Sequence, residues 1–121
     1  MNRSILIQGT IEFIEGGLAE EKQERFRLAT TAYFKAMTQV CDLLLLGKIG
    51  KTSENHTERF RLLESNFPKV YFKVSSAFKV YRDTYSKPIN KSMCEKIKND
   101  VKEIIILGRI EEEFKETLQK I

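Results

Sequence analysis

The sequence has no tryptophan, one histidine, two cysteines and two prolines among its 121 residues. With His56 as the only histidine, a histidine-built metal site within one chain is excluded, and we expect neither a metal nor another cofactor. Cys41 and Cys94 are far apart, and each lies in an apolar helical pattern. We therefore expect two reduced core cysteines rather than a zinc site or a required disulfide.

Long apolar segments are also missing. Unbroken apolar runs such as residues 43–46 are far shorter than the roughly 20 residues that span a bilayer. The apolar residues that follow Arg3 are soon interrupted by Gln8 and Glu12, which is not the pattern of a signal peptide. These features predict a soluble, cytoplasmic protein without membrane association.

Sequence motifs of the common enzyme classes are absent as well. The chain has no glycine-rich phosphate loop, no nucleophile elbow and no pair of histidines at helical spacing. Function therefore has to be inferred from charge and from small polar clusters.

Positive charge is concentrated in the middle of the chain. The formal net charge is +4, but residues 47–91 carry ten basic and four acidic groups, a local net charge of +6. Residues 1–46 and 92–121 each carry a net charge of −1. A local excess of this size would attract a phosphate-bearing partner, or it would form a lysine-rich solvated surface.

Apolar residues recur at helical spacing through most of the sequence. The pattern predicts a first helix over residues 4–15, ended by Gly16 and Gly17. It predicts a second helix over residues 20–46, with Gly47 after its last residue. The apolar run at residues 43–46 would be buried on several sides or would contact a partner subunit.

Asn55 and Glu58 have the spacing of a capping box, which predicts a short third helix that begins at His56 and ends near residue 66. Pro68 suits the first turn of a fourth helix, which Pro88 would end.

Two points remain open in the second half of the chain. Residues 70–74 are the one place where a strand could form instead of a helix. A second capping box at residues 92–95 begins a fifth helix that either continues to the C-terminus or breaks at Gly108. Together the patterns predict an all-α fold, an up-and-down bundle of four main helices plus one short helix, in a single domain over residues 1–121.

His56 is the first candidate for a functional residue. The dipole at the start of the third helix disfavours its protonated form by about 0.3–1 kcal/mol. A neutral imidazole there could transfer a proton or bind a ligand, or it could simply form hydrogen bonds in the preceding loop.

The second candidate is the end of the fourth helix, at Arg82, Asp83, Tyr85 and Lys87. Arg82 and Tyr85 lie on the same side of a helix, so a guanidinium could bind a phosphate while the tyrosine ring stacks on a base. The alternative is that Arg82 forms a salt bridge to a neighbouring helix while Tyr85 lies in the core.

The order of these parts resembles the HEPN superfamily of small helical bundles. The resemblance is carried by residues 32–36 of the second helix, residues 55–60 and residues 81–85, and it covers roughly residues 20–107. Members that cleave RNA have an arginine, a polar residue and, after four to six intervening positions, a histidine, at a site assembled across a homodimer. Arg82 and Asp83 match the first two elements, but Lys87, Pro88 and Ile89 occupy the positions of the histidine.

The resemblance implies a non-catalytic, homodimeric HEPN-like protein that binds a nucleotide, an RNA or a protein partner through residues 47–91. It also allows a nucleotidyltransferase-type protein partner. Two alternatives stay open: a degenerate HEPN-type ribonuclease that uses Tyr85, Lys87 or His56 for proton transfer, and a structural or regulatory subunit with no ligand of its own.

Overall fold

The computed structural model describes residues 2–121, and these residues form an all-α fold without strands. The α-helices are α1 (Arg3–Lys22), α2 (Phe26–Ile49), α3 (His56–Asn66), α4 (Pro68–Asp83), α5 (Lys91–Leu107) and α6 (Lys115–Leu118), and a 3-10 helix (Glu111–Phe114) precedes α6. Six helices replace the predicted four plus one, because the C-terminal residues form short helices of their own. Residues 70–74 lie within α4, so the alternative of a strand there was wrong.

The first helix does not end at the paired glycines, as the sequence predicted, but continues to Lys22. The reason is tertiary packing, because a Cβ at Gly17 would lie 2.4 Å from the buried Tyr33 ring of α2. Gly17 therefore lets α1 lie close to α2. The turn between these two helices contains Glu24, whose φ of 57° is in the left-handed region.

The second helix ends at Ile49, three positions later than predicted, and Gly47 lies inside it. Gly50 follows the last helical residue with a left-handed φ of 74°, and its N–H donates to the carbonyl of Leu46. Leu43, Leu44 and Leu45 are buried in the core, which agrees with the first of the two alternatives, burial on several sides.

Asn55 is the N-cap of α3 as predicted, since its side chain accepts a hydrogen bond from the Glu58 N–H at 2.8 Å. The Glu58 carboxylate accepts from the N–H of Glu54, at 3.1 Å, rather than from that of Asn55. α4 begins at Pro68 as predicted but ends at Asp83, well before Pro88. A turn over residues 84–86 follows, and it places Tyr85 outside the helix.

α5 begins earlier than the second predicted capping box, because Asn90 is its N-cap and accepts from the Met93 N–H at 2.9 Å. The helix ends at Leu107, and Gly108 follows as the C-cap. The open question about Gly108 is thereby resolved in favour of a break.

α2 is the central element and contacts α1, α3, α4 and α5. Its buried side chains join those of the other helices in a contiguous apolar cluster. Cys41 and Cys94 both lie in this core as free thiols. Within residues 2–121, no helix has the length and apolar character that crossing a membrane requires.

Candidate functional site

A buried ion pair connects α2 to α3. The Arg59 Nε and Nη2 atoms donate to the two carboxylate oxygens of Asp42 at 3.3 and 3.1 Å. The Ser53 hydroxyl donates to the same carboxylate at 2.6 Å, which fastens the loop before α3. Only 8% of the Asp42 side chain and 11% of the Arg59 side chain are exposed. The sequence analysis missed this pair, although an acid within the apolar stripe of α2 was a signal for it.

His56 lies next to this ion pair. The third nitrogen of Arg59, Nη1, lies 2.8 Å from His56 Nδ1. Because a guanidinium has only donors, Nδ1 is the acceptor, and the neutral imidazole carries its proton on Nε2. Burial lowers the pKa of His56, the positive charge of Arg59 lowers it further, and Asp42 opposes this change. The histidine is therefore held in its neutral form near pH 7.

The His56 ring also belongs to a cluster of aromatic side chains from α2, α3 and α4. Its centroid lies 5.4 Å from that of Phe78 and 6.4 Å from that of Tyr81. Phe34 and Tyr81 stack at 4.4 Å with 14° between their planes, and Phe60 meets Phe78 edge-on at 5.1 Å. This cluster fixes the end of α4 against the start of α3.

Arg82 lies over the outer side of the same cluster, with its guanidinium carbon 5.3 Å from the centre of the Phe78 ring. The side chain is exposed, and within residues 2–121 it forms no ion pair with a carboxylate. The alternative of a salt bridge to a neighbouring helix was therefore wrong. His56 and Arg82 converge on Phe78.

Tyr85 is 75% exposed, so the alternative that placed it in the core was also wrong. Its hydroxyl lies 3.0 Å from that of Tyr81, and the two rings meet edge-on. This hydrogen bond, followed by burial, raises the pKa of Tyr81 to about 12. Tyr81 is thus a poor base near neutral pH, whereas the exposed Tyr85 ring is free to stack.

Asp83 and Lys87 interact with each other rather than with the aromatic cluster. The Lys87 ammonium lies 3.4 Å from the Asp83 carboxylate. Arg27 of α2 donates to the carbonyls of Thr84 and Lys87, and thereby fastens the turn after α4 to α2. Of the five predicted site residues, His56, Arg82 and Tyr85 surround one aromatic cluster, and the other two support the adjoining turn.

An open cleft of about 420 Å³ borders this cluster. It lies among α1, α2, the loop before α3 and the end of α4. Its walls and rim are formed by Phe13, Phe34, Lys35, Thr38, Gln39, Glu54, Asn55, His56, Arg59 and Tyr81. The sequence analysis predicted only His56 among these residues, because the others come from distant segments.

No protein-family model matches the chain, and no curated protein matches its sequence. Among residues 2–121, no group of three or more histidine, cysteine, aspartate or glutamate side chains is placed to hold a metal ion. The groups that the site offers to a ligand are an unpaired guanidinium, an exposed tyrosine ring and a neutral histidine.

Proposed function

We propose that this protein is a non-catalytic, HEPN-like helical bundle that binds single-stranded RNA or nucleotides through the basic surface of residues 47–91. One observation carries the proposal: Arg82 is exposed and has no carboxylate partner within residues 2–121, and the exposed Tyr85 follows it in the adjoining turn, where the Tyr85 N–H donates to the Arg82 carbonyl. A guanidinium binds a phosphate through paired N–H donors, and a tyrosine ring stacks on an unpaired base.

The HEPN-like, up-and-down arrangement of the long helices is part of the proposal. It is supported by contacts between successive helices. Gly17 faces Tyr33 while Gly9 faces Gln39, so α2 runs back along α1. Lys73, ten residues before the end of α4, pairs with Glu103, twelve residues after the start of α5, so α5 runs back along α4.

The proposal also includes a homodimer, which exposed apolar side chains support. Phe72 is 70% exposed, and Ile106 and Leu107 are 47% and 40% exposed. Leu107 lines a small groove with Pro68 at one end of the α4–α5 pair, while Phe72 lies four residues after Pro68 and Ile106 precedes Leu107. Light scattering should give twice the monomer mass for the wild type and the monomer mass for Phe72→Glu. A wild-type monomer at high concentration would refute the dimer.

RNA binding is tested by titrating fluorescently labelled single-stranded RNA at several salt concentrations. If three or four phosphates of a single strand are neutralised, log affinity should fall against log salt with a slope of roughly −2 to −3. Arg82→Ala should weaken binding and reduce the magnitude of the slope by about 0.7. Arg82→Lys should recover only part of the affinity, because an ammonium lacks the paired donors of a guanidinium.

Lys115→Ala is the matched control. Lys115 is also exposed and forms no ion pair within residues 2–121, but it lies in α6, outside the basic region. Its removal should leave the slope unchanged. Binding weaker than millimolar at low salt, or equal binding by the wild type and Arg82→Ala, would refute the proposal. Binding weaker than millimolar would favour the alternative of a structural or regulatory subunit with no ligand of its own.

The same preparations test the degenerate ribonuclease. Its proton transfer would need Tyr85, Lys87 or His56 to act as a base near pH 7, but free tyrosine and lysine side chains titrate at about 10, and the Nδ1 atom of His56 is occupied by Arg59. We expect intact RNA after incubation with the wild type. Cleavage that Arg82→Ala abolishes would establish the enzyme, and equal cleavage by both proteins would indicate a contaminant.

A further inference from the structure

We infer that the cleft beside His56 is a nucleobase subsite, and that it selects bases with an exocyclic amino group, such as cytosine, over uracil. The inference rests on the proposed function and adds to it the kind of base that is read. The cleft adjoins the phosphate-binding surface, because Tyr81 lines the cleft and is hydrogen-bonded to the exposed Tyr85.

The size and walls of the cleft suit a flat, aromatic ligand. Its volume of about 420 Å³ is within the range of small-molecule pockets, roughly 300–1,000 Å³. Phe13, His56 and Tyr81 are the walls that keep some exposure, whereas Phe34 is only 1% exposed and stacks on Tyr81 from behind. Rings of this kind stack on an unpaired base.

Free polar groups at the rim give the cleft two chemically different ends. Lys35 is exposed and forms no ion pair within residues 2–121, so it can meet a phosphate. The charge of Arg59 is already compensated by Asp42. Glu54 supplies the opposite charge: its backbone N–H donates to Glu58, but its own carboxylate has no hydrogen bond or ion pair within the described chain. A cation and an acid beside aromatic walls match a nucleotide better than they match a simple anion.

The acid determines which base fits. An ionised carboxylate only accepts hydrogen bonds, so it pairs with the N4 amino group of cytosine. Uracil presents a carbonyl oxygen at the same position, and two acceptors repel each other. Cytosine and uracil have nearly the same shape, so a preference between them reports this contact rather than stacking. Gln39 also lines the cleft, and the missing side chain of Gly9 leaves room for its amide.

The test compares labelled oligocytidylate and oligouridylate of equal length at neutral pH and fixed salt. The wild type should bind the cytosine strand about fivefold more tightly, the lower end expected for a partly exposed base contact. Glu54→Gln should bring this ratio close to one, because an amide can also donate to the uracil carbonyl. Glu54 is exposed, so the substitution should not disturb folding.

Two controls separate this inference from the proposed function. Glu64→Gln removes an exposed acid of α3 that does not line the cleft, so it should keep the wild-type ratio. Arg82→Ala should weaken both strands alike and leave the ratio unchanged. Two results would overturn the base subsite alone. The first is binding that depends on Arg82 but has equal affinity for the two strands, and the second is a ratio that Glu54→Gln does not change. Failure of both strands to bind would overturn the proposed function with it.

Discussion

The buried Asp42–Arg59 ion pair gives the sharpest test of how the site is held together. Asp42→Asn keeps the shape of the side chain and one acceptor oxygen but removes the negative charge. Arg59 then remains almost buried, at 11% exposure, with His56 Nδ1 and a weakened amide contact as its partners. Removing one partner of a buried pair typically costs about 3–5 kcal/mol. Because the asparagine keeps the acceptor for Ser53, we expect the lower end of this range, about 3 kcal/mol.

The assay is urea unfolding followed by circular dichroism, with Glu113→Gln as the matched control. That change breaks the Arg3–Glu113 pair, whose side chains are 47% and 38% exposed, and exposed pairs contribute at most about 1 kcal/mol. The expected order is therefore a large loss in Asp42→Asn and a small one in Glu113→Gln. Equal losses would refute the view that burial makes the α2–α3 pair different.

A double substitution distinguishes two causes of instability: the lost attraction between the charges, and the burial of one charge without its partner. Replacing both Asp42 and Arg59 by leucine removes the two charges together, and buried ion pairs exchanged for apolar side chains often lose little or no stability. The double variant should therefore be more stable than either single leucine variant. If the two single losses simply add, the residues act independently and the argument from an uncompensated charge is wrong.

Three further outcomes are expected. Gly17→Ala should lower the free energy of unfolding by about 1–3 kcal/mol, because its Cβ would clash with the buried tyrosine ring of α2. Gly16→Ala has open space around its Cβ and should raise the free energy of unfolding by about 0.5–1 kcal/mol. Urea unfolding that gives the two changes the same sign would contradict this. Tyr85→Phe should lower the pKa of Tyr81 from about 12 toward its ordinary value of 10.0 in an ultraviolet titration, and an unchanged pKa would leave burial as the cause. The folded-state pKa of His56 lies below its ordinary value of 6.5, so the unfolded chain binds more protons than the folded chain. The free energy of unfolding should therefore fall as the pH drops below about 6.5, and His56→Gln should weaken this pH dependence. An imidazole pKa above 6.5, measured by NMR in the folded protein, would reverse the sign of the effect.

Features that depend on neighbours in the chain were predicted well. The cap of α3 joins Asn55 to Glu58, and Pro68 occupies the first turn of α4, so short sequence motifs were sufficient. Helix ends that depend on packing were not. Gly16 and Gly17 have low helix propensity, but close contact between α1 and α2 maintains the helix through both of them.

The candidate site was likewise predicted only where it depends on neighbours in the chain. Sequence spacing placed Arg82 and Tyr85 near each other, but it could not decide between an ion-paired arginine and a free one. That choice depends on which side chains α2 and α3 present to the end of α4, and they present the rings of Phe34, Phe60 and His56 rather than an acid. The cleft was beyond prediction for a related reason, since its walls come from four separate segments.

The fold also reduces the local positive charge that is available to bind phosphate. Residues 47–91 carry a net charge of +6, but two of their cations are paired with acids outside that range: Arg59 with Asp42 and Lys73 with Glu103. The excess that remains is +4, two charges fewer than the sequence alone indicates. Four neutralised phosphates on a single strand correspond to a salt slope of about −3. A measured slope near −3 would therefore match the net charge that remains. A slope steeper than about −5 would exceed the seven cations of this range that have no carboxylate partner, and would require Arg59, Lys73 or Lys87 to exchange its partner for RNA.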